Sequence, residues 1–372
     1  MPKHSVRPAG TAAVAASLLL ATACGAGSTA PASIDLGSGP AAAGTVKKDA
    51  LSGLNMSFVS YGGVYQEGQQ KAAIDPFAQE SGAKILQDGP TDYAKIKAQV
   101  DSSNVTWDVI DTDSIWADAQ CGKLLQPLDY KIIDKSKIPE GLAGECTVPA
   151  MQYGMVLAYN KNKFGANPPK GWKDFYDTTK FPGKRAISGN PGDSAPGPFE
   201  SALIADGVAP DQLYPLDVDR ATKKLQSVRP NLVFWKTGAE AQQLLESGEV
   251  DLAMIWSGRA YAAVKNGAPF QVTFDQWMPV MDSLTVPKNA KNPKASMALI
   301  NYYLGAQQQA KLTELTSYSP INTDAKPNLD ELGKSFLTTS PGTAEKALKI
   351  DSKWWAQHQP EMIEKWSAWL GG

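Results

Sequence analysis

Short apolar runs alternate with longer segments of helical spacing, and they do so in two successive blocks. Leu54-Asn55-Met56-Ser57-Phe58-Val59-Ser60 reads as a strand and Gly62-Gly63 as a turn. Residues 64–81 read as a helix with Ala72, Ala73, Ile74 and Phe77 on its inner face, stopped by Gly82. Lys84-Ile85-Leu86 is the next strand. A helix follows over 93–102, then the buried strand Trp107-Asp108-Val109-Ile110-Asp111 and a helix over 115–121. The second block opens with the strand Met155-Val156-Leu157-Ala158-Tyr159. Its clearest later members are helices over 219–228 and 238–247 and the strand Leu252-Ala253-Met254-Ile255-Trp256. Ser283-Leu284-Thr285-Val286-Pro287 reads as a strand leaving that block. A long amphipathic helix is predicted over 293–316, and helical spacing resumes from 336 to the Trp-rich end. Such alternation implies an α/β fold with mostly parallel sheets covered by helices.

The N-terminus places this fold outside the cytoplasm. Lys3 and Arg7 precede an apolar run over 12–23 that is too short to cross a bilayer as a mature helix, which is the layout of an export signal. Cys24 follows small residues directly and is followed by Gly25. This resembles the lipobox of bacterial lipoproteins, although Ala21 stands where Leu is usual. The resemblance implies a signal peptide over 1–23, lipid on Cys24, and a protein anchored to the outer face of the bacterial cell membrane. The alternative is an ordinary secretory signal with an incidental Cys. Residues 24–50, rich in Ala, Gly and Ser, read as a flexible tether spanning roughly 25–30 Å.

Counts narrow the function. A chain of 372 residues allows two domains, and a net charge of −2 gives a nucleic-acid partner no support. Of three Cys, a lipidated Cys24 leaves Cys121 and Cys146. In an oxidising compartment these pair most simply with each other, the alternative being two free buried thiols. The two His are His4, in the signal, and His358. This leaves no basis for a His-rich zinc site, and no metal or cofactor is expected.

Four segments carry a family resemblance: Gly248-Glu249-Val250-Asp251-Leu252-Ala253-Met254-Ile255-Trp256-Ser257-Gly258, Met281 to Asn292, Val59 to Glu67, and Trp107 to Asp111. In their order and spacing they resemble the spermidine/putrescine-binding proteins of bacterial ABC importers, over roughly residues 54–330. The resemblance implies a two-lobed periplasmic-binding-protein fold (type II) with a hinge and a ligand cleft. Lobe 1 would be 54–153 plus 284–330, lobe 2 would be 154–282, and the helices of 331–372 would pack on the lobes. It also implies a monomer that delivers solute to a membrane permease, and not an enzyme.

The same resemblance points to a ligand set. Trp256, at the end of a strand, would be an aromatic wall, and Asp282, at a lobe crossover, a carboxylate for an amine. Tyr61 and Tyr318 match ligand-facing aromatics, with Tyr65 one turn along. Asp111, Asp113 and Trp116 follow the third strand, at the sheet edge where open α/β sheets bind ligands. Asp113 also suits a helix N-cap. Trp235 and Thr237 precede a helix start that could face an anion. Aromatic faces and carboxylates together suit an organic ammonium. One departure qualifies the ligand: two acidic positions expected in polyamine binders fall on Ser194 and Gly197, with Asp193 and Glu200 displaced. A polyamine is therefore one reading. A zwitterionic amine, an organophosphonate, a thiamine-like ligand or ferric ion on the same fold, and an exported glycan hydrolase, are the others.

Overall fold

The computed structural model describes residues 34–37, 42–193 and 196–372. The predicted signal peptide, Cys24 and Ser194 lie outside the described residues. In chain order the first block holds β1 (Asn55–Val59), α1 (Gly63–Gln69), a π-helical turn (Gln70–Ile74), α2 (Asp75–Ser81), β2 (Lys84–Asp88), α3 (Tyr93–Asp101), β3 (Val109–Asp113) and α4 (Ser114–Gln120). The second holds β4 (Val148–Asn160), α5 (Lys161–Phe164), α6 (Trp172–Phe175), β5 (Arg185–Ser188), α7 (Pro198–Ala205), α8 (Val218–Gln226), β6 (Leu232–Trp235), α9 (Gly238–Glu246), β7 (Leu252–Trp256), α10 (Ser257–Lys265) and β8 (Phe270–Thr285). After it come α11 (Pro293–Tyr303), α12 (Ala306–Thr316), α13 (Glu331–Ser335), α14 (Pro341–Ala344) and α15 (Ser352–Gly371).

The strand order is β2-β1-β3-β8-β4-β7-β5-β6. β1 pairs in parallel with β2 and β3, and β5 in parallel with β6 and β7. Between these two parallel blocks run β4 and β8, paired antiparallel to each other and to their neighbours β7 and β3. The sheet is thus mixed with a parallel majority, four of its seven strand pairings being parallel: the alternating pattern predicts the two ends, and the long central strands add the antiparallel middle. One end of each long strand serves each lobe, so β4 and β8 form the connection between lobes. Their register shifts between Pro149 and Met151 and again between Met155 and Leu157. Such irregularities bend and twist a strand.

Side-chain alternation explains the covering on both faces. On β4, Leu157 enters a cluster with Phe175, Phe199 and Met254, while Val156 enters the opposite cluster with Trp235, Ile255 and Trp277. The first lobe's core gathers Phe58, Phe77, Val109, Leu284 and Ile300. The aromatic C-terminus is part of the fold: Trp355 and Trp366 of α15 are fully buried against the second lobe, where truncating either costs on the order of 3–5 kcal/mol. Ile115 of α4, from the first lobe, packs on the same cluster.

Two expectations change. The helix predicted over 293–316 is two helices, interrupted at Leu304-Gly305. The tether predicted to residue 50 is shorter, because 42–50 are tied to the first lobe: Gly44 N donates to Asn301 O (2.9 Å), and Asn301 Nδ2 donates to Ala42 O (3.1 Å) and Thr45 O (3.2 Å). A Gly- and Ala-rich composition hides such backbone pairing. Cys121 and Cys146 form a disulfide (Cα–Cα 5.4 Å). Among the described residues no helix is long and apolar enough to cross a membrane.

Candidate functional site

Strand ends and the long central strands bring eleven residues around one cavity of about 40 Å³. The first lobe supplies Tyr61 after β1, Tyr65 on α1, Tyr93 at the start of α3 and Asp113 at the end of β3. The second supplies Trp256 at the end of β7, Arg259 on α10 and Gly192 after β5. Tyr153 of β4, Val280 and Asp282 of β8, and Tyr318 after α12 form the floor between them. This is the carboxyl edge of the parallel strands, where open α/β sheets leave room for ligand. The cavity shares Tyr61, Tyr93, Gly192, Trp256 and Arg259 with a wider mouth of about 410 Å³.

The walls are rigid because each ring is held by another group. Tyr318 lies 4.9 Å from Tyr153 and 5.2 Å from Tyr65, centroid to centroid. It is aimed there by Ser317, which caps α12 at φ 60°, a left-handed conformation costly for a non-glycine residue. Reciprocal backbone bonds between Ser319 and Gln152 fix the same loop to β4. Trp256 packs edge-on against Trp235 at 5.0 Å. Tyr153 donates to Asp282 Oδ1 at 3.0 Å. Asp113 N donates to Tyr61 Oη at 2.8 Å, and that hydroxyl shares a 2.8 Å bond with Tyr93.

Burial dominates the electrostatics. It pushes the hydroxyls of Tyr61, Tyr65, Tyr93 and Tyr153 far above the ordinary tyrosine range, with neighbouring carboxylates adding to the effect, so these rings face the cavity as neutral phenols. Burial also pushes the Asp113 carboxyl up to about 7, against hydrogen bonds from the backbone of Trp116 and Ile115. A buried carboxyl raised by desolvation is a ready partner for a cation. Burial likewise raises Tyr318, with Arg259 opposing and Asp282 adding, which puts that ring within the influence of both charges. Arg259 is only 3% exposed, and its Nε and Nη1 have no hydrogen-bond partner among the described residues. A buried guanidinium with open N–H donors is a ready receptor for a carboxylate. Carboxyl groups and a guanidinium thus line one small space.

Of the residues singled out from sequence, Trp256, Asp282, Tyr61, Tyr65, Tyr318 and Asp113 line this cavity, and Thr237 lines its mouth. Asp113 both lines the cavity and caps α4, its Oδ1 accepting from Trp116 N at 2.8 Å. Thr237 caps α9 by accepting from Glu240 N. Three residues sit one layer back. Trp235 is fully buried behind Trp256 and donates to Met254 O. Trp116 stacks behind Tyr93 at 4.2 Å. Asp111 is fully buried behind Tyr65, accepting from its hydroxyl at 2.6 Å and from Gln69 at 2.5 Å. Trp235 and Asp111 are inward-pointing strand residues that meet core before they meet cavity, and Trp116, on α4, is screened from it by the Tyr93 ring. Glu200 is absent from the cavity as well, being consumed in lobe 2 by Tyr214, Trp355 and the backbone of Gly197. Gly197 has no side chain to offer a ligand.

Sequence reasoning missed Tyr93, Tyr153 and Arg259. Arg259 carried a usable signal. A cation in the first turn of a helix opposes the helix dipole, and here it comes just after a strand that ends in the cleft. The adjacent tyrosines Tyr302 and Tyr303 are buried in the first lobe, where Tyr303 accepts from Gln69. Among the described residues no cluster of three His, Cys, Asp or Glu could hold a metal ion.

Comparison with known proteins agrees with this geometry. Residues 72–336 match the family model of bacterial extracellular solute-binding proteins. A γ-aminobutyric acid-binding protein of Pseudomonas aeruginosa is 29% identical over 323 residues, covering 85% of this chain and 90% of that protein. A spermidine/putrescine-binding periplasmic protein of Haemophilus influenzae is 27% identical, covering 78% of this chain and 82% of its own length. Among solved structures, the Atu4243–GABA receptor is 39% identical with a TM-score of 0.76, covering 85% of this chain and 97% of that one.

Proposed function

The chain belongs to the bacterial extracellular solute-binding protein family, and from that premise we propose that it captures a small zwitterionic amine, an ω-amino acid of the γ-aminobutyric type, for an ABC importer. The observation that carries this reading is Arg259, a buried guanidinium with two unpartnered nitrogens in the same cavity as Asp282 and Asp113. The ligand carboxylate would take the guanidinium, which suits it by fork geometry. The ammonium would take Asp282 and Asp113 among the faces of Trp256, Tyr153 and Tyr61, each desolvated cation–π contact contributing about 1–2 kcal/mol. A polycation would meet Arg259 as a like charge, and the two acidic positions the sequence comparison expects at Ser194 and Gly197 are missing. The relatives that bind γ-aminobutyric acid support the same choice.

In this reading the ligand closes the two lobes about β4 and β8, and the closed form is what a permease recognises. Cys24 would carry lipid and the residues between it and Ile34, which packs on the first-lobe core, would form the tether, holding a monomer beside its importer. Tryptophan fluorescence and calorimetry with γ-aminobutyric acid, putrescine and spermidine test the ligand class. Saturable binding of the ω-amino acid supports the reading, and saturable binding of the polyamines alone refutes it. Mass spectrometry of the protein from membranes tests the anchor: a diacylglycerol-sized increment on Cys24 is expected, and an unmodified thiol rejects it.

A further inference from the structure

One side chain of the second lobe already reaches the first. Arg259 stands on α10, yet its Nη2 donates to the carbonyl of Gly62, in the loop between β1 and α1, at 3.1 Å. One residue earlier, Gly258 packs directly on the ring of Tyr318: a Cβ there would lie 2.1 Å from Cε1. The lobes therefore meet at the start of α10. The guanidinium is a planar fork with five N–H donors, and the facing lobe engages only one arm. The other two nitrogens are each bordered by a glycine. A Cβ at Gly63 would stand 2.9 Å from Nη1, and a Cβ at Gly238, the first residue of α9, would stand 2.5 Å from Nε. A methyl group at either place would push the fork out of its seat.

We propose that Arg259 is an inter-lobe latch completed by the ligand's carboxylate, and that Gly238 and Gly63 are specificity-determining residues because they leave the fork its seat. The proposal rests on the zwitterion reading above. Its physical content is a difference between two ligands. A carboxylate docked on the fork pairs one of the donors that burial leaves unpaired, Nε side-on or Nη1 end-on, together with one N–H of Nη2, whose other N–H keeps hold of the first lobe. Closing on an amine without a carboxylate leaves those donors buried and unpaired, which is costly. The carboxylate thus shifts the population towards the closed form, because it binds that form better. Gly238 is a positioning residue: it acts chiefly through Arg259, and a Cβ there would also stand 3.0 Å from the Trp256 ring.

The test uses the full chain, with calorimetry for affinity and small-angle scattering for lobe closure. The probes are γ-aminobutyric acid and butylamine, which lacks the carboxylate. Wild type is expected to contract with the first and not with the second. Contraction with butylamine at saturation overturns the latch. Gly238→Ala introduces a better helix former into α9, so the fold is retained, and the displaced fork lowers affinity for γ-aminobutyric acid at least tenfold and abolishes contraction. Wild-type affinity together with contraction in Gly238→Ala overturns the proposal. Arg259→Lys gives a second reading that does not depend on α9: it keeps the charge but not the fork, and contraction is expected to be lost. Full contraction in that variant also overturns the latch. If wild type binds neither γ-aminobutyric acid nor any other ω-amino acid, the ligand reading falls and the latch with it.

Discussion

Glu200 gives a sharp test of how the second lobe supports the site. Its side chain has no exposed surface, and its two oxygens accept three donors: Gly197 N at 2.9 Å, Tyr214 Oη at 2.8 Å and Trp355 Nε1 at 2.8 Å. The first of these anchors the loop between β5 and α7, in which Gly192 lines the cavity. The last ties α15 to the lobe. In Glu200→Gln the amide oxygen keeps Tyr214 and Trp355, but the amide nitrogen faces Gly197 N–H, donor against donor. Losing a hydrogen bond to a charged acceptor costs about 1.5–3 kcal/mol, and removing a buried charge returns part of that, leaving a net loss of about 1–3 kcal/mol. For a chain of this size that lowers Tm by roughly 2–5 °C. Glu200→Ala strands all three donors beside a void and costs about 3–5 kcal/mol. Burial holds the Glu200 carboxyl above its ordinary value of 4.5. The folded state therefore keeps a proton that the unfolded state loses, and the wild-type advantage over the Gln variant shrinks as pH rises above that value. Circular-dichroism melts at several pH values measure all of this. Wild-type Tm in both variants would refute the network.

Three further predictions concern the site and its frame. Trp256→Ala removes one cation–π wall and its apolar contact, so ligand Kd rises about tenfold to a hundredfold, while Trp256→Phe loses less; calorimetry decides, and equal Kd values would remove Trp256 from the site. Replacing both Cys121 and Cys146 by Ser opens a loop with a sequence separation of 25 and lowers stability by about 3 kcal/mol in denaturant titrations, leaving ligand affinity intact because neither residue lines the cavity; loss of binding in a folded variant would contradict that placement. Burial holds the carboxyls of Asp111 and Asp113 up to about 7, so the folded state retains protons the unfolded state has released, and ligand-free stability falls as pH rises from about 4 to about 7. Asp113→Asn is expected to flatten part of that slope in Tm measured against pH, and an unchanged slope would contradict the assignment.

Most of the frame was legible because parallel strands bury both faces and leave apolar runs that period and turn signals can bracket. Trp256 and Asp282 were legible because one ends a strand and the other falls where the family resemblance has the chain change lobe, and both line the cavity. The layer behind them was not legible. Asp111 and Asp113 lie two apart on β3 and both precede α4, yet Asp111 is covered by Tyr65 and Asp113 is not. That difference depends on how α1 packs, which no local pattern encodes. Arg259 was missed because its meaning comes from non-local neighbours: Gly62 and Gly63 lie almost two hundred residues upstream. The strap over 42–50 was hidden because its attachment is backbone to Asn301, and backbone pairing leaves little trace in composition.

In the zwitterion reading proposed above, one buried site reads an ammonium and a carboxylate together. Calorimetric titration of the mature protein at neutral pH with γ-aminobutyric acid, putrescine and butyrate tests it most directly. The first should bind at least tenfold more tightly than either of the others, because each of those lacks one of the two charges that Arg259 and the pair Asp113 and Asp282 are placed to meet. Putrescine binding as tightly as γ-aminobutyric acid, or more tightly, would contradict it.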